Sequence, residues 1–414
     1  MHLFTLIFLA ALGLTLALQI WLSRRHIAHI LAHKAQVPAA FSDKIGLTAH
    51  QKAADYTVAK TRVSILQHAI EALVLLLFTL GGGLEFLAQA WQGRFNSPLL
   101  EGAALILSAL LLMAALDIPL SLYRTFVIEV RFGFNKITPK LYALDLFKQT
   151  ALALAMGGPL LLGVLWLMGA MGAYWWLYVW LAWMAFNLLV MAIYPSFIAP
   201  LFNKFQPLED APLKARIEAL LTKCGFHASG LFVMDGSKRS SHGNAYFSGF
   251  GKTKRIVFFD TLLKNLSTEE IEAVLAHELG HFKRRHIVKR MVWLFAGSLA
   301  ALWVLALLMQ ASWFYNGLGV TTQNTATALL LFITVSPVFT FLLQPLLARL
   351  SRQHEFEADQ YAAQTATAAA LIQALVKLYE DNASTLTPDP VHSAFYDSHP
   401  PAGIRIARLQ TFST

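Results

Sequence analysis

Long apolar stretches constrain this chain more than any other feature. Seven of them approach the roughly 20 residues that a helix needs to cross a bilayer, at residues 3–22, 70–90, 103–122, 150–171, 174–198, 291–314 and 325–347. Only 14% of the 414 residues are charged, whereas soluble domains typically carry about 25%. We therefore predict an α-helical integral membrane protein with seven transmembrane helices, and a soluble globular protein is excluded.

Lysine and arginine are distributed unequally between the two sides of these spans. The connection after the first span carries seven basic residues and the connection after the third carries five, whereas those facing the other way hold at most one each. Because basic loops stay in the cytosol, the N-terminus is predicted outside, and residues 199–290 and the C-terminus inside. The net charge of +9 reflects this bias and contact with anionic lipid, so no nucleic-acid partner is expected.

Residues 277–281 read His-Glu-Leu-Gly-His, an H-E-x-x-H motif. On a helix, residues four apart lie one above the other, so His277 and His281 can bind one Zn²⁺. Glu278 can then act as a general base toward water bound by the metal. A capping box at residues 267–270 and helically spaced apolar residues after it predict an amphipathic helix. The motif predicts one zinc per chain and a peptidase activity.

A catalytic zinc normally has three protein ligands and leaves one position for water. Residues 287–353 contain no His, Asp, Glu or Cys, so the third ligand must lie beyond the last span. The next candidates are His354 and Glu355, directly after that span, and Glu355 shares a helix face with Asp359, four residues further on. Alone, these carboxylates would be typical of a solvated acidic face. Together with an incomplete zinc motif, Glu355 is predicted as third ligand and Asp359 as a carboxylate that orients a zinc-bound histidine.

The motif and the spans together predict four parts. Residues 1–200 form a membrane region with five transmembrane helices and basic cytosolic loops, and residues 201–290 form a cytosolic metalloprotease domain of the α+β, zincin-like class. Residues 291–348 contain helices six and seven, and residues 349–414 form a cytosolic segment that completes the protease site. Basic residues directly after the motif place this site at the membrane surface.

Two further segments of the cytosolic face are candidates for the site. Asn244, Ala245, Tyr246 and Phe247 predict a short strand that could hold a peptide by adding it to a sheet edge, although these residues alone favour an ordinary hairpin. His399 lies in a proline-rich turn at residues 397–401. Such a residue is usually only a surface histidine, but in a zinc peptidase it could stabilise an oxyanion.

Many separate motifs, in order along nearly the whole chain, resemble the type I CAAX prenyl endopeptidases, the a-factor-converting membrane zinc metalloproteases. They lie at residues 41–44, 50–53, 129–136, 198–203, 234–242, 244–247, 277–281, 351–359 and 398–401. One departure is Gly243, where the family pattern has Ser. The resemblance implies a seven-helix barrel around a water-filled chamber, with the zinc site near the cytosol.

The resemblance also implies residue roles and an activity. It assigns zinc binding to His277, His281 and Glu355, catalysis to Glu278, a place lining the site to His399 and Arg405, and substrate contacts to Asn244, Ala245, Tyr246 and Phe247. The expected partners are membrane lipid and a peptide or protein substrate. Cleavage near the C-terminus of prenylated CAAX peptides is expected in eukaryotes, and quality control of membrane proteins in prokaryotes. A C-terminus without an ER-retrieval signal favours the bacterial inner membrane over the ER membrane, with the site cytosolic.

Other functions stay open at this point. A protease that cuts inside the bilayer would need its motif within an apolar span and a downstream Asp in another span, and neither is present. A non-catalytic transporter or receptor with structural zinc would need no Glu278, and a chamber could bind lipidated proteins without cleaving them. The oligomeric state and the physiological substrate are not predicted.

Overall fold

The computed structural model describes residues 2–248 and 254–412, with Ser248 described by its backbone only. Within these residues, seven helices are long and apolar enough to cross a membrane, which confirms the predicted number. They are Leu3–His33, Leu47–Phe78, Pro98–Arg131, Pro139–Ala170, Gly172–Phe202, His286–Leu308 and Thr325–Thr365. The last of these is 41 residues long, which is about twice what a bilayer crossing needs, so it extends beyond the membrane.

The first half of the chain consists of helices. They are α1 (Leu3–His33), α2 (Leu47–Phe78), α3 (Gly83–Trp91), α4 (Pro98–Tyr123), α5 (Glu129–Arg131), α6 (Pro139–Ala170), α7 (Trp175–Ile193) and α8 (Ala199–Phe202). Two π-helical turns, Arg124–Ile128 and Tyr194–Ile198, join α4 to α5 and α7 to α8. Such turns are rare and are often found at functional sites.

The predicted position of the second span was wrong. The hydropathy pattern placed it at residues 70–90, but α2 begins at Leu47 and ends at Phe78, and the chain then turns through Gly82 at φ 79°. One face of α2 is polar and lines an internal cavity. Because these polar side chains face the protein interior instead of lipid, average hydropathy along the sequence did not reveal this part of the span.

The second half contains a small sheet and the remaining helices. These elements are β1 (Phe205–Pro207), α9 (Ala211–Lys223), β2 (Gly230–Met234), β3 (Ala245–Ser248), β4 (Arg255–Phe259), α10 (Asp260–Asn265), α11 (Thr268–Lys283), α12 (His286–Leu308), α13 (Ser312–Gly317), α14 (Thr325–Thr340), α15 (Gln344–Thr365), α16 (Ala368–Asp381), α17 (Pro390–Tyr396) and α18 (Ala402–Gln410). The strand order is β1-β2-β4-β3. Strands β2 and β4 are parallel, and the other pairs are antiparallel. Strand β3 therefore lies at an edge.

The molecule has two large apolar cores. One lies among the membrane helices and includes Phe8, Ile106 and Leu330. The other joins the sheet to α9, α11 and α16, and includes Ile217 and Phe258. The motif helix α11 belongs to the second core, so it packs with the sheet and not among the membrane helices.

The start of α11 is fixed by its sequence. The Ser267 hydroxyl accepts from the Glu270 amide at 3.3 Å, and Glu270 Oε2 accepts from the Ser267 amide at 2.7 Å. This capping box satisfies two amide groups that a helix end would otherwise leave without partners. Lys377 on α16 donates to the same Glu270 oxygen at 2.7 Å, so the cap also anchors α11 to its neighbour.

Candidate metal centre

Three side chains from two helices converge at one point. His277 and His281 come from α11 and Glu355 comes from α15, and one ligand atom from each lies within 4.8 Å of the others. The Nε2 atoms of the two histidines are 3.2 Å apart, and each lies 3.4 Å from an oxygen of Glu355. The structure therefore brings together the three residues that the sequence assigned to the metal.

A glycine in the motif permits this arrangement. A Cβ atom at Gly280 would lie 2.9 Å from Ala358 Cα and 3.0 Å from the Ala358 carbonyl oxygen. These distances are shorter than normal van der Waals contacts, so α11 and α15 pack backbone against backbone at this position. Ala358 lies one helical turn after Glu355, and the close crossing therefore brings Glu355 within reach of both histidines.

The three residues fit a divalent metal. Ligand atoms bound tetrahedrally at about 2.0–2.2 Å lie roughly 3.3–3.6 Å from one another, close to the separations seen here. Glu355 is 2% exposed, and its Oε2 atom is buried without a hydrogen-bond partner in the described part of the chain. A buried carboxylate oxygen without a partner is costly, and a cation would satisfy it. Two imidazoles and one carboxylate form a donor set that suits zinc.

The second ring nitrogen of His277 faces a buried ion pair. His277 Nδ1 donates to Asp359 Oδ1 at 2.8 Å. Arg405 donates to the two oxygens of Asp359 at 2.6 and 2.8 Å. Burial lowers the pKa of His277, but its contacts with Asp359 and Glu355 raise it to about 9. Asp359 thus lies where the sequence predicted a carboxylate that orients a ligand.

The second ring nitrogen of His281 meets a different group. His281 Nδ1 lies 2.9 Å from His286 Nδ1, and His286 Nε2 lies 3.0 Å from Glu357 Oε2. Burial and the nearby His277 lower the pKa of His281 to about 3. Sequence reasoning did not find this chain of contacts. Arg285, at φ 56°, separates α11 from α12, and this left-handed residue directs His286 back toward the motif.

Glu278 is half-buried and makes no hydrogen bond to the part of the protein that the structure describes. Burial raises its pKa. A carboxylate with a raised pKa is a stronger base than an ordinary glutamate, and proton transfer is most effective when the pKa of the catalytic group approaches the working pH. Glu278 therefore has the chemistry that the motif predicts for a general base.

The remaining predicted residues differ in their access to the centre. The His399 side chain is 62% exposed, and its Nε2 atom lies 3.5 Å from Glu355 Oε2, so it can reach a bound substrate. Arg405, which the resemblance placed with His399 as lining the site, is only 5% exposed and contacts Asp359. Its contacts are those of a residue that positions another, because its guanidinium is engaged with Asp359.

The predicted substrate strand corresponds to β3, with Asn244 exposed immediately before it. The Asn244 carbonyl accepts from the Phe259 amide at 2.9 Å, so the pairing with β4 begins at this residue. The Phe247 ring packs edge-on against Phe226 at 5.3 Å. Because the side chain is directed into the core, a peptide added to this strand would meet mainly its backbone.

Comparison with known proteins agrees with this geometry. Residues 26–204 match the family described as CAAX prenyl protease N-terminal, five membrane helices, and residues 207–413 match peptidase family M48. CAAX prenyl protease 1 of Saccharomyces cerevisiae is 35% identical, over 92% of this chain and 90% of its own. The human CAAX prenyl protease 1 homolog is 33% identical, over 82% of this chain and 81% of its own.

A solved structure extends the likeness to the fold. The crystal structure of S. mikatae Ste24p has a TM-score of 0.91 and 33% identity, and the match covers 98% of this chain and 99% of that one. The predicted class, a chambered barrel of seven transmembrane helices with a zincin-like α+β protease domain, is confirmed. The prediction of a membrane metalloendopeptidase is also confirmed, in preference to the alternative of a non-catalytic membrane protein. The family implies a metal, and the chain belongs to peptidase family M48, with the five-helix N-terminal region of the CAAX prenyl proteases.

Proposed function

We propose that this protein is a zinc-dependent membrane endopeptidase that cleaves near the C-terminus of CAAX-type substrates, prenylated or not. The observation that carries the proposal is the convergence of His277, His281 and Glu355, with one ligand atom of each within 4.8 Å of the others. The relatives named CAAX prenyl protease 1 support the substrate class. We propose these three residues as the ligands of one Zn²⁺.

The mechanism assigns a separate task to each nearby side chain. When bound, zinc would supply Lewis acidity toward the scissile carbonyl and would favour ionisation of water. The Glu278 carboxylate takes the proton of the attacking water and transfers it to the nitrogen of the leaving amine. His399 donates a hydrogen bond to the oxygen on which negative charge develops. Asp359 holds His277 in one tautomer and orientation, and Arg405 holds Asp359.

The substrate backbone is proposed to pair with the free edge of β3. An edge strand presents unpaired amide and carbonyl groups that an extended peptide can match. Asn244, Ala245, Tyr246 and Phe247 would supply these backbone groups. Since backbone pairing does not depend on side-chain identity, this contact would not by itself select particular substrates.

The protein is an integral, multi-pass membrane protein, and we propose that its site faces the cytosol. The basic residues concentrated on one side of the spans support this orientation. The four-part division at residues 200, 290 and 348 and the bacterial inner membrane remain proposals. Membrane lipid and a peptide or protein are its expected partners.

The proposal is tested with purified, detergent-solubilised protein and a fluorogenic farnesylated CAAX peptide beside its unprenylated twin. Cleavage should be lost with a zinc chelator and restored by added zinc. Glu278→Gln should retain about one zinc per chain by elemental analysis and lose at least about 100-fold in rate, the lower range for general-base catalysis. A Glu278→Gln protein that cleaves normally would contradict the mechanism, and absence of cleavage with zinc bound would contradict the substrate class.

A further inference from the structure

A polar cavity of about 610 Å³ lies beside the candidate metal centre. One wall comes from α1 and α2, and the other comes from the segment between α16 and the proline-rich turn. The lining residues of the second wall include Ser398 and His399. Since His399 Nε2 lies 3.5 Å from Glu355 Oε2, the cavity reaches the centre itself.

The α2 wall is a polar stripe. Its lining residues are Thr57, Lys60, Thr61, Ser64 and His68. These positions recur every three or four residues, so they share one face of the helix. A hydroxyl-rich and basic face on a membrane helix is unfavourable in lipid but suits a chamber that receives a polar ligand.

Lys60 is the one lysine or arginine among the lining residues of this cavity. Its ammonium forms no ion pair with a carboxylate in the described residues, and it lies 4.1 Å from the centre of the Tyr56 ring. The nearby Glu129 already accepts a hydrogen bond from the Tyr56 hydroxyl at 2.5 Å and lies 3.8 Å from His242 Nε2. The ammonium of Lys60 is therefore exposed to the cavity, with Glu129 near it but not paired with it, and it is available to bind an anion.

The other titratable lining residues of the cavity are four histidines, two tyrosines and one aspartate, none of which is a full cation at pH 7 by its ordinary pKa. Burial lowers the pKa of His392, so this ring is neutral near pH 7. Asp397 is the single carboxylate among the lining residues, and it lies on the opposite wall, two residues before His399. A negative group at the end near the centre disfavours an anion there, whereas the cation on α2 attracts it.

We propose that Lys60 binds the terminal α-carboxylate of the substrate, with the residues after the cleaved bond lying in the cavity between His399 and α2. This proposal rests on the proposed cleavage near a C-terminus, and it adds the residue that recognises that terminus. Three extended residues span at most about 10–11 Å, which is the separation between the cut and Lys60 that this proposal requires.

The test is a binding measurement with the full chain in detergent, in the Glu278→Gln background so that no peptide is consumed. The probes are a dansyl-labelled farnesylated CAAX peptide with a free C-terminal carboxylate and the same peptide with a C-terminal carboxamide. Fluorescence anisotropy gives Kd for each. The carboxylate peptide should bind about 10-fold more tightly or better, the difference expected for a charge-assisted contact in a confined site.

Three variants test whether Lys60 is responsible for the preference for a free C-terminal carboxylate. Lys60→Met keeps the length of the side chain without its charge, and it should bind both peptides with the affinity of the carboxamide. Lys60→Arg should keep most of the preference. Lys52→Met is the matched control, because Lys52 is on the same helix and lies over an aromatic ring, Phe134, at 4.9 Å, but is not among the residues lining the cavity. It should behave like the parent.

Equal affinity of the parent for the two peptides would overturn the proposal, and so would a preference that survives in Lys60→Met. Failure of the proposed peptidase function gives different results from failure of the Lys60 proposal. Wild-type protein that cleaves both peptides equally well retains its peptidase assignment while the role of Lys60 fails. Wild-type protein that binds the carboxylate peptide selectively through Lys60 without cleaving it keeps the Lys60 site but loses the proposed reaction.

Discussion

The two histidines of the candidate metal centre lie one helical turn apart, yet their surroundings differ in charge and in access to solvent. Behind His277 is a buried ion pair, Asp359 with Arg405, whose side chains are 2% and 6% exposed. Behind His281 is a second imidazole, His286, which leads to Glu357 with 41% of its side chain exposed. One ligand is thus held by charges shielded from water, and the other through contacts that end near the surface.

This difference separates two ways of fixing a ligand. Opposite charges interact strongly where water is absent, but each becomes costly if its partner is removed. A contact that ends at an exposed carboxylate is weaker, and water can replace it. The His277 side should therefore control both stability and metal affinity, whereas the His281 side should adjust metal affinity alone.

Removing the ligand that both sides share should have the largest effect. Glu355→Gln deletes the negative donor between the two histidines, and zinc affinity should fall by more than the 10–100-fold that is typical for a lost outer contact. The measurement is a competition titration with a chromogenic chelator. Unchanged zinc affinity in Glu355→Gln would mean that another residue is the third ligand. The comparison of the two histidines would then lack the ligand that they are taken to share.

Arg405→Met tests the cost of an unpaired buried charge. It leaves Asp359 buried without its ion-pair partner, so the protein should be destabilised by about 3–5 kcal/mol. Thermal unfolding in detergent measures this as a lowered Tm. Arg408→Met is the control, because Arg408 lies one turn further along α18, is exposed, and packs over Phe356 at 4.6 Å. Equal shifts in the two variants would show that the ion pair adds no particular stability.

Asp359→Asn and His286→Asn compare the two sides directly. Asp359→Asn removes the charge behind His277 and should weaken zinc binding by about 10–100-fold. His286→Asn removes the ring behind His281, whose further contact ends at the partly exposed Glu357, and its effect should lie at or below the lower end of that range. Competition with a chelator measures the zinc affinity of both variants and shows which of them loses more. A larger loss for His286→Asn would reverse the ranking of the two sides.

Glu357→Gln should have the smallest effect. The Glu357 carboxylate is partly exposed, and its contact with His286 can be replaced by water, so zinc affinity should change by less than about threefold and Tm by little. Zinc titration beside the parent protein provides the check. A loss as large as that of Asp359→Asn would mean that the contacts behind His281 act as one charged unit like those behind His277.

The part of the site that depends on local spacing was predictable from the sequence. The positions of His277, Glu278 and His281 follow from the helical repeat. Elimination narrowed the third ligand to His354 and Glu355, because residues 287–353 contain no His, Asp, Glu or Cys. The contact between His286 and Glu357 was not predictable. It joins residues 71 positions apart and depends on the left-handed conformation of Arg285, which no local pattern indicates.

The same distinction applies to the fold. The apolar spans were recognised because lipid-facing helices must be apolar on most of their surface. The first half of α2 was missed because its polar stripe faces a cavity, and a single sequence does not show which face of a helix is enclosed. The cap at Ser267 was predictable because its two hydrogen bonds join residues only three apart.

The order of the ligands along the chain has a consequence for biosynthesis. The motif helix precedes the sixth span, whereas Glu355 lies near the end of the seventh helix and His399 and Arg405 follow it. A ribosome-bound chain that has released α11 therefore holds two of the three ligands and neither Asp359 nor Arg405. The hydrolytic centre can form only after the last helical hairpin has entered the bilayer, so the nascent protease is latent throughout its own insertion.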